Sequence, residues 1–159
     1  PRLTRFIHQK RTQNGLGLIW RGKQSSSPEI KQVFNDNEIF ALLIDQDTKV
    51  KSHFVPFFSR LAATPTGAAW LAVKYQTPII IGWLHRSSNG KFKVHIEQFD
   101  YQNIEVADES ALIHAITEQL TYILEQAIRV HPEQWVWMHK RWKPAQFQRI
   151  TGKTHSIKR

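Results

Sequence analysis

The chain has no cysteine, which excludes disulfides and thiolate metal sites and leaves no mark of the redox state of its compartment. No apolar run is long enough to span a bilayer, and the first residues lack the basic, apolar and small-residue order of a secretion signal. Any membrane attachment is then peripheral, or is supplied by sequence outside these residues. Internal repeats and low-complexity segments are also missing. His8, His53, His85, His95, His114, His131, His139 and His155 are scattered, with no two at i,i+4 separation and no thiol near them, so no metal site is expected. Acids are scarce. Asp and Glu total 13 against 22 Lys and Arg, giving a net charge of +9 and a pI near 10.0, a balance that favours an anionic partner. Nucleic acid, an acidic protein and a phospholipid surface all satisfy that requirement.

At 159 residues and 41% hydrophobic content, the chain can bury about two thirds of its unfolded surface, enough for one domain-sized core. Its periodicity alternates between helix and strand. Residues 3–10 suit a short helix with Leu3, Phe6 and Ile7 on one side, and 16–20 a short strand after Asn14-Gly15. Ser27 before Pro28 and Glu29 suits the start of a helix carrying Ile30, Val33 and Phe34. The apolar run 39–44 reads as a strand buried on both faces, and 79–84 as a second. Thr64-Pro65 opens the next helix, with Ala68, Ala69, Leu71, Ala72 and Tyr75 at its small and apolar positions. Residues 91–99 follow a turn at 87–90 and alternate Phe92, Val94 and Ile96 with polar neighbours, as a half-buried antiparallel strand does. A long helix is predicted over 108–129, with acids at its positive end, Arg129 at the other and Pro132 barring continuation. Together these elements give a mixed three-layer α/β arrangement, with a domain over 1–143 and a basic tail over 144–159.

Residues 125–143 crowd Trp135, Trp137 and Trp142 among Arg129, His131, His139, Lys140, Arg141 and Lys143 around Pro132. This string resembles the closing signature of the bacterial lipid A biosynthesis acyltransferases, which add the late acyl chains, and of relatives that acylate other membrane lipids. Other blocks resemble the same family in the same order. These are 1–15 with Arg11 and Gly15, Ile44-Asp45-Gln46-Asp47, the aromatic block 54–58, the Thr/Gly block 62–69, and Thr77-Pro78-Ile79-Ile80 followed by Arg86.

The resemblance implies an acyltransferase-like α/β fold, here incomplete on its amino-terminal side. It implies transfer from an acyl carrier protein thioester, with no metal or other cofactor, to a hydroxyl of a lipid A precursor at the cytoplasmic face of the bacterial inner membrane. The family's membrane-associated helix, and its catalytic histidine separated by four residues from an acid, lie upstream of everything matched here. This chain alone is therefore expected to be inactive. A histidine held by a carboxylate suits the reaction because neutral imidazole is available near pH 7 and the acid fixes its tautomer. His95 and Asp100 have the family spacing but lie after, not before, the block matching Arg11, so the pair is rejected as catalytic.

The resemblance places Arg11 near the active site, where a guanidinium can grip a lipid phosphate or stabilise the thioester oxygen. Asp45 and Asp47 follow an apolar run, a position from which polar groups enter ligand clefts, or simply cap a turn. Arg86 is their possible partner. Thr64, Thr66 and Gly67 at a helix start can offer donors to an anionic oxygen, or serve only as a cap. Phe54, Phe57 and Phe58 read as core or as an acyl-chain path. The closing tryptophans and cations suit stacking on nucleic-acid bases or an anionic membrane surface; the resemblance favours packing with lipid or carrier contacts, and nucleic acid is not expected. The leading reading is thus part of an acyltransferase, and the alternative is a non-catalytic basic module for anionic lipid or nucleic acid.

Overall fold

The computed structural model describes residues 2–20, 24–46, 50–139 and 141–142. Two compact units divide the chain, Pro1–Ala41 and Leu42–Arg159. The basic tail over 144–159 lies outside the described residues.

The first unit carries α1 (Arg2–Thr12) and α2 (Ser26–Asn35). Lys10 and Arg11 fall in the last turn of α1, where cations face the negative end of the helix dipole. The helix closes on Gly15 at φ +76°: the Leu16 amide donates to the Arg11 carbonyl and the Gly15 amide to that of Thr12. That pair of bonds is a Schellman cap, whose left-handed residue favours glycine. The paired Arg11 and Gly15 therefore have a local cause, since one sits on the last turn and the other ends it. Asn37 at φ 54° closes α2 in the same way, with Glu38 donating to Val33 and Asn37 to Phe34. Residues 16–20, expected as a strand, form none; Leu16 completes the α1 cap and Trp20 stacks on His8. The run 39–44 is likewise not a buried strand. It enters no ladder, and Ile39 is 91% exposed, so its apolar character reports neither pairing nor burial; only Ile44 packs against a core cluster.

The second unit is built on α4 (Glu109–Val130). Asp108 caps it by accepting the Ala111 amide at 2.8 Å, and a 3-10 turn at Pro132–Gln134 follows its end. Strands β1 (Ser52–Phe57) and β2 (Arg60–Pro65) form one antiparallel hairpin, and β3 (Ile79–Arg86) and β4 (Phe92–Phe99) another. Between the hairpins lies α3 (Gly67–Tyr75), whose Ala69 and Ala72 join Ile113, Ile116 and Leu120 of α4 in one core cluster with Phe99 and Tyr101. The Tyr101 hydroxyl donates toward the Ala72 and Thr77 carbonyls, fastening the end of α3. A second cluster joins Phe57, Ala62 and Ile128, with Phe58, Leu124, Trp135 and Trp142 around it.

The α/β class stands, with antiparallel sheets among the described residues. Residues 79–84 do form a strand, but one face only is covered: Ile79 and Ile81 touch the core while Ile80 and Leu84 are exposed. β4 does not bury its expected apolar face, and it is exposed on both sides up to Phe99. Phe92, Val94 and Ile96 are exposed because their register sets them opposite Arg86, Leu84 and Gly82, on the side away from Ile79 and Ile81.

The β1–β2 hairpin turns through Phe58 and Ser59 alone, both at positive φ, 49° and 60°. A two-residue turn of this hand favours Asn and Gly, and a phenylalanine there is strained. Buried Glu125 of α4 holds it. One carboxylate oxygen accepts the Phe58 amide at 2.6 Å and the other accepts Arg129 Nε and Nη2 at 2.9 and 2.6 Å. Arg129 also lies over the Phe58 ring. Replacing Glu125 with Ala strands the Phe58 amide and releases Arg129, and a urea titration should show a loss of about 1–3 kcal/mol.

Candidate functional site

At the end of β2 the backbone turns into α3, and the segment after α4 folds back over it. Arg141 is 1% exposed; its Nη1 donates to the Ala63 carbonyl and its Nη2 to Thr64 Oγ1, each at 2.6 Å, while the guanidinium lies over the Phe57 ring. Beside it, Trp142 stacks on Phe57 and donates toward the Phe57 carbonyl at 3.3 Å, and Trp135 meets Phe57 edge-on. Trp137 closes the group against Phe58 and Trp135 and donates to the Pro132 carbonyl. Trp135 and Trp142 are therefore packed against the hairpin, while Trp137, in edge contact with Phe58 and Trp135, remains exposed on one side. Gln134 adds a second tie. Its side-chain amide accepts the Arg86 N–H at 2.7 Å and donates to the Arg86 carbonyl at 2.9 Å, so it imitates a strand partner at the end of β3.

Thr64 and Thr66 are brought together, but both are buried and both hydroxyls are engaged. Thr64 accepts Arg141 and donates toward the Ala62 carbonyl; Thr66 donates to the Lys51 carbonyl rather than capping α3. Gly67, the first residue of α3, is exposed, and an added Cβ would meet only ordinary contact with Leu42. Asp45 is half-buried with one carboxylate oxygen, Oδ1, buried and without a hydrogen-bond partner among the described residues. Asp47 lies outside the described residues. Arg86 sits over the Phe92 ring on the exposed hairpin face and makes no ion pair with Asp45. Arg11 is exposed in the other unit, and its guanidinium makes no hydrogen bond or ion pair among the described residues.

His95 and Asp100 do not form a dyad. His95 Nε2 meets His85 Nδ1 at 3.1 Å, while Asp100 accepts the Gln102 amide and the Asn103 side chain. Among the described residues, no group of three His, Asp or Glu is placed to hold a metal ion, and no helix is long and apolar enough to cross a membrane.

An open cleft of about 640 Å³, not anticipated from the sequence, lies between the start of β1 and the first turns of α4, lined by His53, Val106, Asp108, His114 and Glu118 among others. His114 Nδ1 meets His53 Nδ1 at 3.3 Å, and its Nε2 faces Glu118 Oε2 at 3.7 Å. Loss of hydration, then the neighbouring His114 and Lys51, hold His53 below the ordinary histidine range. Spacing alone relates His114 to Glu118, four residues on along α4; only the fold brings His53 to them.

Over residues 1–144 the chain matches the family described as bacterial lipid A biosynthesis acyltransferase. Compared with curated proteins it has no match. The match spans both units and every block discussed above, and the chain belongs to the lipid A biosynthesis acyltransferase family. Its closing signature is, in this fold, a packing device: Arg141 and Trp142 lock onto β1 and β2 while Gln134 grips β3.

The Arg141–Thr64 contact is separable from simple loss of bulk. Thr64→Val and Arg141→Met should each destabilise the chain, and the double variant should cost less than their sum by about 0.5–3 kcal/mol, read from urea midpoints in a double-mutant cycle.

Proposed function

We propose that this chain contributes to an acyltransferase that moves a fatty acyl group from an acyl carrier protein thioester to a hydroxyl of a lipid A precursor at the cytoplasmic face of the inner membrane. The observation that carries the reading is the family match over residues 1–144. In that reaction the acceptor oxygen attacks the thioester carbonyl, a base takes the hydroxyl proton, and the C–S bond breaks to release the carrier thiol. The net charge of +9 supports a productive encounter with an acidic carrier and with an anionic membrane surface. Engagement of Trp135 and Trp142 with Phe57 favours this reading over a nucleic-acid module, which needs free rings for stacking.

Arg11 is the residue we assign to substrate charge. Its guanidinium is unengaged among the described residues and stands on the last, capped turn of α1, a rigid support from which a planar fork can meet a phosphate or the thioester oxygen. Asp45 supplies a buried acceptor oxygen without a partner among the described residues, suited to a hydroxyl of the acceptor. Asp47, Thr64, Thr66, Gly67 and Arg86 complete the set of substrate-region candidates. The hydroxyls of Thr64 and Thr66 already have protein partners, which favours a supporting part for both.

Residues 1–159 by themselves should not turn over. The sole histidine and acid at the family spacing, His95 and Asp100, point to other partners, and general-base assistance is worth about 100- to 10,000-fold in rate. The test is acyl transfer from an acyl carrier protein thioester to a lipid A precursor, with the purified chain beside a full-length member of the family. Turnover equal to the control would place the base within these residues and overturn the role given to His95. In a full-length enzyme carrying this sequence, Arg11→Lys keeps the charge and loses the fork, and should lower kcat/KM on the order of 10- to 100-fold; an unchanged rate would remove Arg11 from the site.

A further inference from the structure

Both hairpins meet α4 through a histidine pair. At the first seam His53 of β1 and His114 of α4 approach to 3.3 Å through their Nδ1 atoms, with ring centroids 5.1 Å apart. The second seam lies near the other end of the helix. There His85 of β3 stacks on His131, the residue that caps α4, with centroids 4.1 Å apart and planes 27° from parallel. His85 also meets His95 of β4 at 3.1 Å, and His95 stacks flat on Trp83, so one row of rings runs from the hairpin to the helix end.

We propose that these two imidazole contacts are an acid-sensitive latch that tightens the docking of both hairpins at their seams with α4 when the histidines are neutral and loosens the seams when the rings become charged. A hydrogen bond between two imidazole nitrogens needs one to donate and one to accept. The His53–His114 bond therefore tolerates one proton and fails at the second, when both nitrogens donate, while the stacked His85 and His131 rings, which share no hydrogen bond, are opposed only by the repulsion of two cations. Around the first seam stand Lys51 on the β1 side and Glu118 and Asp108 on the α4 side. Around the second stand Lys93 of β4, and Glu133, whose carboxylate lies 3.6 Å from His131 Nδ1. In both, the carboxylates flank the helix member and a lysine flanks the hairpin member, so a charge on the hairpin ring faces a cation on its own side of the seam as well as its partner ring.

The hairpin members have the corresponding titration. His53 and His85 both lie below the ordinary histidine value, each through loss of hydration first and then through its α4 partner. A histidine whose folded pKa is depressed binds fewer protons folded than unfolded. Its contribution to stability is thus intact above the unfolded value of about 6.5 and is lost as pH falls from there through the folded value. The predicted window lies below about pH 6.5, where histidine is the side chain whose charge changes. The apolar cores joining α3 to α4 and Phe57 to Ile128 contain no histidine, so opening is confined to the seams.

The test uses the whole 159-residue chain. Histidine ring resonances followed by NMR between pH 7.5 and 5.0 give the titration of His53 and His85 directly, and amide exchange, corrected for its intrinsic pH dependence, reports hairpin opening. Expected are midpoints below about 6.5 for both rings, and at least a tenfold loss of protection in β1 and β3 relative to the α3–α4 core between pH 7.5 and 5.5. The His53→Asn/His85→Asn double variant should show no such pH-dependent loss. Midpoints at or above the ordinary histidine value in the unsubstituted chain would overturn the proposal, as would an undiminished pH dependence in the variant; the direct titration decides even if the variant fails to fold.

Discussion

The first hairpin of the second unit, and the closing segment packed on it, depend on one carboxylate. Glu125 stands on the buried face of α4 and accepts at once from the Phe58 amide and the Arg129 guanidinium. Charge-assisted bonds of this kind are stronger than neutral ones, and this one stabilises a turn whose backbone conformation does not suit its residues. Once Phe58 is held there, β1 and β2 pair, Phe57 is placed inside, and the rings of Trp135 and Trp142 have a surface to meet. Arg141 then enters beneath them and donates to Ala63 and Thr64. Helix, hairpin and closing segment are thus coupled, each relying on contacts that the next supplies.

That coupling explains why a family signature rich in tryptophan and cations need not be a ligand surface throughout. Arginine at position 141 is charged, yet it is fully enclosed by a ring, a carbonyl and a hydroxyl; Gln134 is polar, yet its amide is spent on the Arg86 backbone. Some polar groups are not engaged by packing among the described residues. The Arg11 guanidinium, on a capped helix end, and Asp45 Oδ1 are two. The open cleft beside α4, with its paired imidazoles, is a separate feature of the same helix.

Family membership was legible because it rests on the order of short blocks along the chain, which needs no coordinates. The helices were legible for a local reason: the apolar stripe of α4, Asp108 at its start and the Asn14-Gly15 stop after α1 all act within a few residues. β4 was placed correctly by its alternation, although alternation alone could not say which face would be covered. Of the site, the sequence singled out Arg11, Asp45 and Thr64 as chemical types in suitable blocks, but not that the Thr64 hydroxyl would be taken by Arg141.

What the sequence by itself determined, then, is the helical framework, the α/β class, the charge and the family, since each is fixed by neighbouring residues or by their linear order. The tertiary structure alone decided that the apolar run 39–44 stays out of any ladder, that Phe92, Val94 and Ile96 face outward, and that Phe58-Ser59 is a hairpin turn. A strand's burial depends on which element covers it, and the Phe58 turn depends on a carboxylate 67 residues away in sequence. The histidine seams belong to the same class: His53 and His114 are 61 residues apart along the chain, and only the docking of β1 on α4 makes one imidazole sensitive to the charge of the other.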